Sequence, residues 1–339
     1  MQKKKVLNIL RYLVFFAPTV VLMYFAFRNI EPQKLWDGIK SANLFWIVVA
    51  IAVSILAYIF RAARWQIIIE PLGHKPTFAN TYNATMIGYL TNLALPRVGE
   101  ITRCGVLANT EKLPFDKLIG TVVVERIFDL IILLLAVLSA VLIRVDVFGN
   151  FLFEKVWQPV NNGLNSMLGH TTLLLIILLS VIVAVVLIYF FRDKLKNIGA
   201  VKKVKSLGKG FAEGIKSGIR MKHRWMFLLY SLLITLCYWM MSYTIMLAIP
   251  ETAGLTIIDA LFLYVLGGLG WVVPAQGGFG SFHLIVAMGL GLYGIAFEQG
   301  IVFATISHES QVLFMLILGF ISLACVSYKL RKKKPIVFT

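Results

Sequence analysis

The chain has 339 residues, of which 59% are hydrophobic and 14% charged. A soluble protein carries roughly 25% charged residues, so this composition excludes an ordinary soluble domain. The formal charge of +17 is gathered into short stretches, which suits cytoplasmic loops and tails of a membrane protein; no nucleic-acid partner is expected.

Lysines Lys3–Lys5 precede the first apolar run, Leu10–Phe27. That run ends in AFRNIEP with no small-residue cleavage site, and it is read as a retained helix rather than a signal peptide. A second span, Leu44–Phe60, is followed by Arg61, Arg64 and Lys75, read as its cytoplasmic flank. The next region, 78–113, is hydrophobic but broken at Pro96–Gly99, where proline removes a backbone donor and glycine favours non-helical dihedrals. Further full spans follow at Leu118–Ile143, Thr171–Phe191, Trp225–Ile249 and Gln299–Val326. A second broken region, 256–296, is interrupted by PAQGGFG at Pro274–Gly280.

Charge counting predicts how these segments run. Between Arg192 and Arg224 lie eleven Lys/Arg against Asp193 and Glu213, and Lys329–Lys334 is again basic, so both of these and the N-terminus are expected inside. The loop Arg144–His170 is balanced and suits the outside. Each broken region must then enter and leave on one side, the first from the cytoplasm and the second from outside. The expected fold is an all-α polytopic membrane protein, a single membrane domain of six full transmembrane helices plus two re-entrant helical hairpins. Residues 1–143 and 171–326 form an inverted repeat, both termini lie in the cytoplasm, and the protein sits in the cell (inner) membrane. Inverted repeats with paired broken helices are the pattern of alternating-access transporters.

Ionisable groups inside such segments are costly and point to function. In VVVERIFDLIILLL, Glu125 and Asp129 share a helix face and Arg126 lies one turn from Asp129. They form either an internal ion-pair lock or a headgroup site in which Arg126 binds an anion. Arg97, Glu100 and Arg103 follow the first break, where a helix start offers N–H groups and a positive dipole end to a phosphate; the alternative is an interfacial loop. Gly277, Gly278 and Gly280 allow backbone to approach a ligand or a neighbouring helix, and His283, His308 and Glu309 are either titrating groups or structural hydrogen bonders. In the basic loop, Val201, Val204, Leu207, Phe211, Ile215 and Ile219 recur at helical spacing, as in an amphipathic helix on an anionic leaflet. GLGLYG at Gly289–Gly294 matches a dinucleotide fingerprint in letters only, with no strand–helix–strand context. Cys104, Cys237 and Cys325 give no disulfide or zinc spacing. No catalytic motif is visible, and no cofactor or metal is expected.

Three motifs together resemble the flippase-like family, the membrane region associated with lysylphosphatidylglycerol synthases. They are Pro-x-x-Gly-Glu-x-x-Arg at Pro96, Gly99, Glu100 and Arg103, then Glu-Arg-x-x-Asp at Glu125, Arg126 and Asp129, then Gly-Gly-x-Gly from Gly277. The resemblance covers nearly the whole chain. It implies transbilayer movement of a phospholipid or another lipid-linked anionic or aminoacylated headgroup, without the aminoacyl-lipid synthase domain, so no enzyme activity is expected. The chain departs from the family pattern where Ala275 and Gln276 separate proline from glycine, where His283 stands about where an acid is usual, and where His308–Glu309 replaces an arginine. A transporter of small soluble anions and a non-transporting partner of a lipid-modifying enzyme remain the alternatives, and a homo-oligomer is compatible with all three.

Overall fold

The computed structural model describes residues 16–144, 158 and 216–333, apart from 96, 219 and 274. The expected span Thr171–Phe191, most of the basic loop and the start of the first run lie outside the described residues. What is described is helical throughout, without strands. Among the described residues, four helices are long and apolar enough to cross a membrane: α3 (Leu44–Ile69), α6 (Phe115–Ile143), α7 (Arg224–Ala248) and α10 (Phe297–Lys333). At 1.5 Å per residue all four exceed a hydrocarbon core of about 30 Å. They match four of the expected spans, although α3 continues well past Phe60. Along α6 one face, Leu130, Leu134, Leu138 and Leu142, stays exposed, as a lipid-facing stripe does.

The remaining helices are shorter. A described portion of the first run forms α1 (Phe16–Phe27), and α2 (Pro32–Ser41) leads from it to α3, which Asn43 caps by accepting from the Phe45 N–H at 3.0 Å. The two broken regions become two helix pairs: α4 (Phe78–Ala94) with α5 (Gly99–Glu111), and α8 (Ile257–Val272) with α9 (Ser281–Gly291). Each arm has 17 residues or fewer, about 26 Å at most, which is less than the core thickness.

In the first pair the chain doubles back tightly. A Cβ at Gly99 would lie 2.0 Å from the Gly88 carbonyl oxygen, so glycine is what lets these backbones touch. At the open base, Glu111 accepts from the Thr77 N–H at 2.9 Å, the Thr77 hydroxyl at 2.7 Å and the Asn80 amide at 2.5 Å. Burial pushes the Glu111 pKa up, but these bonds and the nearby Lys329 outweigh it and hold the pKa below the ordinary glutamate value. The clamp is therefore strongest above that value and loosens as pH falls through the lowered one. In the second pair, a Cβ at Gly270 would meet the Phe282 backbone at 2.7 Å, and Thr256 and Asp259 form a capping box at the base.

Helix α10 shows how the pairs are placed, because it contacts both along its length. Gly300 packs on Ala287, His308 bonds the Gly277 carbonyl, Gly319 packs on Leu90 and Lys329 bonds Asn80. The second pair lies along the first half of α10 and the first pair along the rest, their tips meeting between. The base of the first pair shares its end of the bundle with the end of α3 and the start of α7, where Glu70 meets His223 at 3.7 Å. The base of the second pair lies at the other end, with the Arg144–Asp259 ion pair and the Asn43 N–H donating to the Ala248 carbonyl at 2.7 Å. The largest apolar cluster, including Ile245, Phe262, Leu290 and Phe303, is gathered around this second base.

The doubled-back turn gives a paired test. Gly99→Ala should cost about 1–3 kcal/mol or more through overpacking. Gly105→Ala, on the same helix with open space around it, should leave stability unchanged or raise it by up to about 1 kcal/mol. Thermal unfolding of the detergent-purified variants separates the two.

Candidate functional site

Helix α6 buries Glu125 completely and sets Asp129 one turn further on the same face. Helix α3 presents Arg61 and Arg64, also one turn apart, to that face, and α5 adds Arg103. Arg103 Nη2 reaches Glu125 at 2.7 Å, and Arg64 Nη2 bridges Glu125 at 2.9 Å and Asp129 at 2.7 Å. Arg126 Nη1 lies 3.3 Å from Asp129, and its Nη2 is 3.6 Å from Glu100. The result is an alternating chain, Arg103–Glu125–Arg64–Asp129–Arg126–Glu100, with Arg61 at 3.3 Å from Asp129 closing its flank. Alternation is what makes the buried charges tolerable, since Glu125 and Asp129 are each neutralised from two sides. Aromatic and hydroxyl groups complete the sockets: Arg103 lies over Trp65, Arg64 donates to Ser231 at 3.1 Å, and Arg61 Nε donates to the Tyr238 hydroxyl at 3.1 Å.

Beside this chain lies a cavity of about 500 Å³, within the range of ~300–1,000 Å³ typical of ligand pockets. Arg61, Arg97, Arg126, Glu100, Asp129 and Asn92 line one part of it, and Tyr58, Tyr89, Tyr238 and Tyr264 another. Among the charged groups on its wall, three arginines (61, 97 and 126) face two carboxylates (Glu100 and Asp129), an excess of one positive charge. Arg126 is the most loosely held of the network. Its side chain is 41% exposed, and its Nε is buried without a hydrogen-bond partner.

Both helix-pair tips reach the cavity. Arg97 adopts φ 65°, left-handed backbone that costs a non-glycine residue about 1–2 kcal/mol, and donates to the Val272 carbonyl at 3.1 Å. Leu93 and Gly277 approach one another from the two tips. On one side the cavity meets the apolar surface. Helices α6 and α8 pack through Ala136, Ala140, Leu261 and Val265, and Leu133 touches Gly268. The next residues along, Leu130 on α6 with Trp271 and Val272 on α8, line the cavity and are exposed.

The structure sorts the residues singled out from sequence into two groups. Arg97, Glu100, Arg126, Asp129, Gly277 and Gly278 line the cavity. Arg103 and Glu125, expected to face substrate, do not line it; both are buried behind it, where Trp65 and Arg64 occupy their open sides. The α5 start is also less open to an anion than expected, because the Gly99 N–H donates to Asn92 Oδ1 at 2.7 Å. Gly280 lies against the α1 backbone, where a Cβ would be 2.6 Å from Leu22, and not on the cavity. His283, His308 and Glu309 cluster behind the second tip. Sequence reasoning missed Arg61 and Arg64 as site residues. The signal was the unbroken helical pattern of FRAARWQIII, which continues after Phe60 with no turn residue.

An all-helical, multi-pass membrane protein with a charged internal cavity is the class that this fold and site define. The chain belongs to the family described as the lysylphosphatidylglycerol synthase TM region, whose family model matches residues 8–319. It is similar to the UPF0104 membrane protein MJ1595 of Methanocaldococcus jannaschii, 30% identical over 105 residues, covering 30% of this chain and 31% of that one. It is also similar to the glycosyltransferase AglD of Haloferax volcanii, 25% identical over 114 residues, covering 33% of this chain and 18% of that one. The chain thus spans less than a third of the length of these curated relatives. No solved structure matches.

The two groups of arginines should respond differently to truncation. Arg103→Ala leaves Glu125 short of a partner and should cost about 3–5 kcal/mol. Arg97→Ala should cost little, and Arg97→Gly should be more stable than Arg97→Ala by about 1–2 kcal/mol because the left-handed strain is relieved. Chemical denaturation followed by tryptophan fluorescence measures all three.

Proposed function

We propose that this protein moves a phospholipid, or another lipid-linked anionic headgroup, from one leaflet to the other through the cavity. The observation that carries the reading is that Arg61, Arg97 and Arg126 outnumber Glu100 and Asp129 on the wall of a cavity whose apolar lip, Leu130, Trp271 and Val272, is exposed. A headgroup phosphate would sit between Arg61, Arg97 and Arg126, with Glu100 and Asp129 orienting the arginines or receiving an amine. Acyl chains would remain outside, past the lip. A sealed polar ring would suit a small soluble anion, and the lip argues for lipid. The family's description, which ties it to lysylphosphatidylglycerol synthases, supports the same substrate class. In this reading the chain transports lipid and carries out no bond chemistry.

The proposed membrane arrangement follows from charge and length. Lys75, Lys112, Lys117, Lys222, Arg224 and Lys329 fall at the end of the bundle that holds the first pair's base, and the positive-inside rule makes that end cytoplasmic. Glu31, Asp37, Glu251, Asp259 and Glu298 fall at the other. Arms too short to cross, entering from opposite ends and meeting tip to tip, are what two re-entrant hairpins require. With α1 and the expected span at 171–191 they would complete six spans in an inverted repeat, in which α3 and α7 are counterparts. Rocking of one repeat against the other would alternate the cavity's access.

The reading is tested in proteoliposomes with a headgroup-labelled anionic phospholipid, by following the loss of leaflet asymmetry. Wild type should accelerate exchange. Arg126→Ala should reduce the rate by at least about tenfold, the effect of one lost charge-assisted contact, while leaving thermal stability close to wild type. Exchange at the wild-type rate in the variant, or at the protein-free rate in wild type, overturns the proposal. Movement of inorganic phosphate with no lipid exchange assigns the cavity to a soluble anion instead.

A further inference from the structure

Behind the second tip, on the side away from the cavity, three ligand-type atoms converge. His308 Nε2 is 2.7 Å from the Gly277 carbonyl oxygen. A carbonyl only accepts, so Nε2 carries the hydrogen, and the ring turns its Nδ1 toward Glu309 Oε1, 3.1 Å away. His283 is fully buried, neither of its ring nitrogens has a hydrogen-bond partner, and its Nε2 lies 3.4 Å from the same oxygen. All the donor atoms lie within 4.8 Å of one another. Three potential ligand atoms facing one another need a proton or a metal cation among them.

We propose that His283, His308 and Glu309 bind a divalent transition-metal ion of the zinc type. Two imidazoles and a carboxylate are a common zinc donor set, and metal–ligand bonds of about 2.0–2.1 Å put tetrahedral ligand atoms ~3.3 Å apart. The two spacings to Glu309, 3.1 and 3.4 Å, bracket that value, and the two imidazole ligand atoms lie within 4.8 Å of each other. The second shell has the right form too, since His308 donates its other ring N–H to a backbone carbonyl, which fixes tautomer and orientation. Trp271, Phe279 and Phe282 surround the same imidazole at ring-centroid distances of 5.4, 4.8 and 5.2 Å, holding it in place. The Glu309 side chain is 40% exposed and provides the route by which an ion enters. None of the three residues lines the cavity. The ion therefore has a structural role, tying the tip at Gly277 and the start of α9 to the middle of α10, and the inference does not depend on what the cavity carries.

The test uses the full-length protein in detergent, stripped with a chelator and then dialysed against Zn²⁺ or Co²⁺. Elemental analysis should find a single ion per chain, Co²⁺ should give the intense visible bands of a tetrahedral nitrogen–oxygen site, and Zn²⁺ should raise the unfolding temperature. Glu309→Gln, which preserves side-chain shape, and His283→Ala should both lose the ion. Should His283→Ala fail to fold, loss in Glu309→Gln alone still supports the site. Sub-stoichiometric metal without the visible bands, or binding unchanged in Glu309→Gln, overturns the proposal and leaves a proton shared between His308 and Glu309.

Discussion

The burial of Glu125 is the constraint on which the rest of the structure depends. A carboxylate with no exposure, deep in a helix that crosses the apolar layer, persists only if cations come to it. Three elements distant in sequence are fixed by that need, α3 through Arg64, α5 through Arg103 and α7 through Ser231, which holds Arg64 in turn. The first helix pair is anchored this way as well as by packing. The site's geometry and the fold's stability are therefore the same set of ion pairs.

A second requirement comes from the two breaks. Irregular backbone at membrane depth is tolerated only where its polar groups find partners within the protein. Both tips meet that condition with side chains. Asn92 takes the Gly99 N–H, Arg97 covers the Val272 carbonyl, the Ser281 hydroxyl donates to the Gly270 carbonyl at 2.8 Å, and His308 holds the Gly277 carbonyl. The second tip is thus satisfied in part by the first tip, in part by its own Ser281 and in part by α10, while the first is satisfied by its own Asn92. The turn of the second pair therefore draws its partners from the first pair and from α10.

Much of this was legible in the sequence, and what was not has identifiable causes. Long apolar runs and two proline–glycine breaks announce helices and interruptions by length and dihedral preference alone, and the charges on α6 stand out against their apolar surroundings. Depth is harder to read. Arg61 and Arg64 looked like the cytoplasmic flank of a span because a snorkelling arginine and an internally paired one have the same side chain, and only the partner across the bundle separates them. Spacing of one turn likewise put Glu125 and Asp129 on one face without indicating that Asp129 reaches the cavity and Glu125 stops behind it. The histidines are the same case: twenty-five positions separate His283 from His308, and no periodicity links a helix start to the middle of another helix.

The ion pairs are not equally tight, and the gradient suggests how a locked core can also bind. Distances run from 2.7 and 2.9 Å around Glu125 and Arg64 to 3.3 and 3.6 Å around Arg126. The inner members are buried and closely paired, so an incoming anion would have to compete with their ion pairs and disrupt the fold. Arg126 is half in the open, bound at longer range to two carboxylates that sit on different elements, Glu100 on α5 and Asp129 on its own helix. A phosphate that drew Arg126 away from Glu100 would exchange one charge-assisted bond for another of similar strength. It would also release the start of α5 from α6 without exposing Glu125. The network therefore has a buried inner part that maintains the architecture and an outer, half-exposed arginine on the cavity wall, the member whose partner a bound anion would change in the proposed function.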